Sequence, residues 1–168
     1  LDKAPGVQPC AGLLTNVSGG KFNDLKDRLT KQLADFQQKG ALIVTAAGNC
    51  PLDIDRSDVY EWPSTFNPGG LRVTGVSSGD TPDTDVAFGK TKVDIAAPSA
   101  PAFIALDANG GTNAVFRGTS SASAFVAGGA ALVLATDLTQ RGKPCQLADR
   151  ILRNAAVIPA LASANVGD

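Results

Sequence analysis

Two short segments of this chain hold residue types that could do chemistry. The first is Gly118-Thr119-Ser120-Ser121-Ala122-Ser123-Ala124-Phe125-Val126-Ala127-Gly128. It places Ser120 at the start of an apolar, small-residue run that reads as a helix. A helix N-terminus offers unpaired N–H groups and the positive end of a dipole, both of which stabilise negative charge on a nearby reacting oxygen. The second is Val44-Thr45-Ala46-Ala47-Gly48-Asn49. Here an apolar strand ends in Gly-Asn, at the carboxyl edge where open α/β sheets bind ligands. A short amide in that place can donate to a developing oxyanion. Each segment also has a purely structural reading. Ser120 could be a helix cap, since serine is a preferred cap residue, and Asn49 could be a turn residue.

The elements that must position these residues follow from periodicity. Leu13 to Val17 reads as a short strand. Phe22, Leu25, Leu29, Leu33 and Phe36 recur at spacings of three and four, with charged residues between them. This predicts an amphipathic helix stopped at Gly40. Ala41 to Ala47 is apolar on both alternating faces, as expected of a parallel strand covered by helices. Strand, helix and strand make one βαβ unit. Residues 50–70 read as a polar loop. Leu71–Val76, Lys92–Pro98 and Ala102–Leu106 read as strands, with turns at Asp80–Asp85 and Asn109–Gly111. A helix from about Ser120 to Ala135 is apolar all round, which predicts full burial. In it, Gly128 and Gly129 are expected to allow close approach of neighbours. Gln146 to Ala156 carries Leu147, Ile151, Leu152 and Ala155 on one face and reads as a surface helix. The whole is α/β with one core.

Composition limits the mechanism. The 168 residues are 43% hydrophobic and 18% charged, with 15 basic and 16 acidic side chains. That is a globular balance, and it gives no electrostatic reason to expect nucleic acid or an anionic membrane as partner. No apolar run is read as membrane-spanning. There is no methionine, so the chain is expected to be processed or truncated ahead of residue 1. There is also no histidine. Histidine is the usual general base at neutral pH, so any mechanism confined to these residues must do without it.

Together the two segments resemble the subtilases, the subtilisin-like serine proteases. The nucleophile motif of that family is Gly-Thr-Ser-x-Ala followed by a glycine at the distance of Gly128, and its oxyanion asparagine closes an Ala-Ala-Gly-Asn strand. Asn49 and Ser120 lie 71 residues apart (120 − 49), close to the family's interval. Asn16-Val17-Ser18-Gly19-Gly20 is similar to the family's substrate-pairing strand. Tyr60-Glu61-Trp62-Pro63-Ser64 with Leu71 to Val76 is similar to its Pro-Ala/Ser segment and core strand. Val93 to Pro98 is similar to its Asp-hydrophobic-x-Ala-Pro strand. The likeness runs from about residue 13 to 135. It departs at Ser121, Ala124 and Phe125, where the family has mostly Met, mostly Pro and often His. It departs again between Ser18 and Gly19, where one residue is missing.

The resemblance implies a three-layer, mostly parallel sheet with helices on both faces, incomplete in this chain. Residues 1–168 would be the C-terminal portion of one catalytic domain. It implies a serine endopeptidase in which Ser120 attacks the peptide carbonyl and Asn49 holds the oxyanion. Ser18, Gly19 and Gly20 would pair with substrate backbone. Ala46, Ala47, Gly48 and Thr119 would line the substrate site. In the family the triad order is Asp, His, Ser, so the histidine and aspartate would come from an N-terminal portion of the same domain, the expected partner besides a peptide or protein substrate. The alternative is a catalytically inactive subtilase-like binding protein. No lysine stands where it would serve as a substitute base. No cofactor is expected. Asp53, Asp55 and Asp58 form a weak calcium candidate, because calcium takes clustered carboxylates, although Asp58 stands where an EF-hand loop needs glycine. The sequon Asn16-Val17-Ser18 is expected to stay unmodified. Of Cys10, Cys50 and Cys145, the expected disulfide is Cys50–Cys145, in an exported, extracellular protein.

Overall fold

The computed structural model describes residues 20–56, 60–67, 69–100, 103–105, 109–111 and 114–163, with backbone alone for 103–105, 114–115 and 163. The expected strand at Leu13 to Val17 lies outside the described residues, as do Ser18, Gly19, Cys10 and Asp58. Helix α1 spans Gly20–Gln38, as its three-and-four spacing predicts. It buries none of its residues fully, and Leu25 and Phe36 stay half-exposed or more. Two of its contacts with the rest of the described residues lie near its ends. Phe22 packs edge-on against Tyr60 with ring centroids 5.2 Å apart, and Gln37 Nε2 donates to Asn67 Oδ1 at 3.1 Å.

The sheet is built on β2 (Leu71–Ser77). Strand β1 (Val44–Ala46) pairs with it in parallel, Val44 opposite Leu71. On its other side β4 (Ile95–Pro98) also runs parallel, with Val73 opposite Ile95. A two-residue β3 (Thr81–Pro82) adds an antiparallel pair at the end of β2, in the segment read as a turn. Five of the seven β2 residues are buried, as a central strand covered on both faces requires. An ion pair fixes the β2–β4 register. Arg72 Nε and Nη2 each reach an Asp94 carboxylate oxygen at 2.7 Å, and the Arg72 N–H donates to the same carboxylate at 2.8 Å. Hydrogen bonding to Asp94 holds the Arg72 guanidinium above its ordinary pKa, against the burial that would lower it. Beyond the sheet, β5 (Phe103–Ala105) and β6 (Ala114–Phe116) form an antiparallel hairpin. β6 has no clear pattern in the sequence.

Helix α2 (Thr119–Thr136) crosses one face of β1, β2 and β4. Its Ala122 and Val126 pack with Leu71, Val73 and Ala97 of the sheet and Ala148 of α3 (Pro144–Arg153). Against the opposite face, Ala47, Ile54, Ala87 and Val93 form a second cluster, with Leu161 of the short α4 (Pro159–Ser163) beside it. That face is therefore covered mainly by irregular segments.

The expectation that α2 is buried all round is corrected. One stripe, from Thr119 through Ala122 and Val126 to Ala130, is buried. On the outward side Phe125 is 49% and Leu132 70% exposed. Gly128 and Gly129 meet nothing within 4 Å, so they do not serve close approach here. The sequence pattern encodes burial, and the chain supplies a covering for one face only. The expectation that no run reaches membrane-spanning length is corrected as well. At 18 residues with a mean hydropathy of 1.4, α2 is long and apolar enough to cross a bilayer, a test that core helices of soluble proteins also pass. In α3, Leu147 and Ala148 face the core, but the helix ends at Arg153, and Leu152 and Ala155 turn outward.

Candidate active site

The fold brings the two sequence motifs together through one buried knot of hydrogen bonds. Strand β1 ends at Ala46, and the chain continues through Ala47 and Gly48 to the exposed Asn49. Ala47 N–H donates to Val73 O at 2.9 Å, which keeps this segment against β2 past the formal end of the strand. Asn49 Oδ1 accepts from both the Thr119 N–H at 2.9 Å and the Thr119 hydroxyl at 3.0 Å. The same hydroxyl accepts from the Gly48 N–H at 3.1 Å. Thr119 is fully buried, so these bonds are shielded from water and each is worth more than at the surface.

This knot determines which donors are left over. Gly118 is the N-cap of α2, Thr119 its first residue and Ser120 its second. The first-turn N–H groups have no acceptor within the helix. Thr119 N–H is taken by Asn49, and the N–H groups of Ser121 and Ala122 go to Gly118 O. Among the described residues the Ser120 N–H has no acceptor, and Asn49 Nδ2 donates to none. Ser120 itself is exposed. A free side-chain amide and a free backbone N–H therefore flank an exposed serine hydroxyl, the donor arrangement of an oxyanion hole.

Backbone geometry makes the turn possible. Gly118 has φ +82°, and a Cβ there would stand 2.5 Å from Asn49 Oδ1. Only glycine combines that dihedral with that approach. The turn is tied to the sheet by Ser99, which sequence reasoning missed. Ser99 is fully buried, and its carbonyl accepts from Gly118 N–H at 3.0 Å. Its own N–H donates to Val76 O at the end of β2 at 2.9 Å, and its hydroxyl donates to an Asp83 carboxylate oxygen at 2.5 Å, with Val76 O 3.2 Å away. The signal that could have found it is its place directly after Pro98, which closes β4.

Several expected roles change. Thr119 was expected to line the substrate site. Buried and spent on Asn49 and Gly48, it positions the asparagine instead. Ala47 was expected in the pocket, but its side chain lies in the core with Ile54, Ala87 and Val93. Gly20 begins α1 rather than ending an extended strand. Ala46 and Gly48 remain on the segment that leads to Asn49. Gly48 has φ +116° and is covered by Glu61: a Cβ on Gly48 would lie 2.7 Å from the Glu61 carboxyl carbon. Burial pushes the Glu61 pKa up.

One further expectation fails on geometry, and another rests partly outside the described residues. Cys145 is a free, exposed thiol, so Cys50 is not joined to it. Cys145 lies in the first turn of α3, exposed. The Asp55 carboxylate is surrounded by protein donors: the N–H groups of Lys90 at 2.6 Å, Thr91 at 3.0 Å and Lys92 at 2.8 Å, and the Thr91 hydroxyl at 2.9 Å. Burial raises its pKa, but these bonds together outweigh burial and hold it below the ordinary value. Asp53 Oδ1 accepts from the Asp55 N–H at 2.9 Å. Asp55 thus braces the 90–92 loop, and Asp58, the third residue of the calcium candidate, lies outside the described residues.

The family model of the subtilases matches residues 13–167. The chain belongs to the subtilase family. Its solved structural relatives agree. A cold-adapted subtilisin-like serine proteinase is 25% identical with a TM-score of 0.67, over 89% of this chain and 49% of that one. The self-cleaved protease domain of PatA is 23% identical with a TM-score of 0.66, over 91% and 53%. The prenylagaramide maturation protease PagA is 22% identical with a TM-score of 0.64, over 86% and 49%. No curated protein matches the chain by sequence. This subtilase chain spans about half the length of the solved structures it matches, and its fold is the α/β subtilisin-like one expected.

Proposed function

We propose that this chain carries the nucleophile and oxyanion half of a serine endopeptidase. The observation that supports it most is the Asn49–Thr119 bond pair, which leaves Asn49 Nδ2 and the Ser120 N–H as free donors beside an exposed Ser120. In the reaction Ser120 Oγ attacks the scissile carbonyl carbon, and its proton passes to a histidine base. The carbonyl oxygen becomes an oxyanion held by Asn49 Nδ2 and the Ser120 N–H. Collapse of the tetrahedral species breaks the C–N bond, and the base returns the proton to the leaving amine. Water then hydrolyses the acyl-Ser120 ester by the same steps. A serine hydroxyl is a weak nucleophile until a base takes its proton.

The chain has no histidine, so the base and its orienting aspartate come from an N-terminal portion of the domain. Leu132 on the outward side of α2, 70% exposed, supports the same reading, because exposed apolar surface marks missing partners. On the family's habit we place the whole protein outside the cell. The other reading, an inactive subtilase-like binder, draws on the absent histidine and on Ser121, whose hydroxyl is spent on Gly118 O at 2.7 Å. Reaction of the whole protease with a fluorophosphonate probe decides between them. Labelling confined to Ser120 and lost in Ser120→Ala supports the peptidase. A whole protein that binds peptides without labelling supports the binder.

A further inference from the structure

Glu61 is the only glutamate in the chain, and no step above uses it. Its main chain is pinned: the N–H donates to Thr65 Oγ1 at 2.8 Å, and the carbonyl accepts from Thr65 N–H at 2.8 Å. From that anchor the side chain runs to Gly48. A Cβ on Gly48 would lie 3.0 Å from both Cγ and Oε1 of Glu61, so the carboxylate rests on the bare Cα of Gly48, one residue from Asn49. Among the described residues this carboxylate accepts no hydrogen bond and makes no ion pair. Burial alone shifts its pKa, upward, with no donor or cation to oppose it. A partly buried carboxylate left without partners is a cost to the folded protein. Fifteen acidic side chains elsewhere in the chain are aspartates, and Asp55 and Asp94 show how they are paired.

We propose that Glu61 sets substrate specificity, closing the pocket beside Gly48 with a carboxylate that receives the arginine or lysine side chain preceding the scissile bond. This rests on the peptidase reading of Ser120 and Asn49. With the scissile carbonyl oxygen held between Asn49 Nδ2 and the Ser120 N–H, the side chain of the same substrate residue departs one bond away. The neighbouring wall is Gly48 with Glu61 upon it. A cationic side chain there gains a charge-assisted hydrogen bond and relieves an unpaired carboxylate. An apolar side chain would desolvate that carboxylate further and gain nothing from it.

The test uses the whole protease and matched peptide substrates that differ only before the scissile bond: arginine, lysine, norleucine and citrulline, the last a neutral isostere of arginine. Arginine should exceed citrulline in kcat/KM by roughly ten- to hundredfold, the range of a hydrogen bond to a charged group. In Glu61→Gln that ratio should fall close to one, with Ser120 labelling kept. If Ser120 labels and peptides are cut but the ratio does not move in Glu61→Gln, the inference is overturned and the peptidase reading stands. Binding to Ser120→Ala protein, measured by calorimetry with product peptides ending in arginine or citrulline, reads the pocket without catalysis. Equal affinity for the two would overturn the inference. A Glu61-dependent preference for arginine would uphold it even where cleavage fails.

Discussion

Replacing Thr119 by valine tests whether the buried knot positions Asn49. Valine keeps the shape of threonine and removes only the hydroxyl. Two bonds disappear: the donation to Asn49 Oδ1 at 3.0 Å and the acceptance from Gly48 N–H at 3.1 Å. Thr119 is fully buried, so water cannot replace them. A buried donor left unsatisfied costs about 1–3 kcal/mol, and the orphaned Gly48 N–H is such a donor. Asn49 keeps the Thr119 N–H bond at 2.9 Å, so its amide loosens without being lost. We therefore predict that Thr119→Val destabilises the whole protease by about 2 kcal/mol, a fall in Tm of roughly 3 °C for a domain about twice this chain's length. Fluorophosphonate labelling of Ser120 should slow by about tenfold, as about 1.4 kcal/mol of transition-state binding goes. That is milder than Asn49→Ala, for which roughly 10²–10³-fold is expected, the loss seen when one oxyanion donor is removed from a subtilisin. Thr119→Ser restores the hydroxyl and should restore both readouts. A valine variant that melts and labels like the parent would refute the reasoning, because Asn49 would then be held by something other than this knot.

Gly118→Ala should be worse than Thr119→Val in labelling rate, since it adds strain at φ +82° and drives a methyl into Asn49 Oδ1; the strain alone is about 1–3 kcal/mol, read by denaturant melts. Asp55→Asn should destabilise by about 1–3 kcal/mol through weakened bonds to residues 90–92. Because the folded carboxyl is held below its ordinary value, the stability it contributes is present above about pH 4, near the unfolded aspartate value. It is lost as pH falls through the folded value, so parent and variant should converge in acid melts. Residues 1–168 made alone should show no Ser120-dependent cleavage of a chromogenic peptide and should self-associate in size-exclusion chromatography with light scattering. With Cys145 free and Cys50 disulfide-bonded, non-reducing peptide mapping should link Cys50 to Cys10, and a free Cys50 thiol would refute the pairing.

The parts of the fold that the sequence made legible are those whose periodicity is strong. The α1 spacing from Phe22 to Phe36 set that helix to within a few residues, and the β2 run predicted a strand. β6 was missed because Ala114-Val115-Phe116 is too short to show a period. The burial of α2 was overestimated for a different reason. Its composition is apolar all round, and here its outward side keeps Leu132 70% exposed. Site residues divided in the same way. Ser120 and Asn49 could be read because glycine marks both turns. The roles of Ala47 and Thr119 could not, because whether a side chain beside a motif points into the core or into a cleft depends on strand register, and a one-residue step reverses it.

Thr119 and Ser99 show why the motif is longer than its reactive atoms. Ser120 has to be exposed to react, and an exposed residue cannot be held by its own packing. Its position is set from both sides instead. Thr119 locks it to Asn49 across 70 residues of sequence, and Ser99 locks Gly118 to the end of β2. Both anchors are fully buried, and both join segments from separate strands. The donor geometry is therefore a property of the sheet rather than of the loop that carries the serine. Loss of either anchoring side chain should loosen Asn49 relative to Ser120 while leaving α2 and β2 folded, whereas loss of a core residue such as Val73 should unfold the sheet with the site.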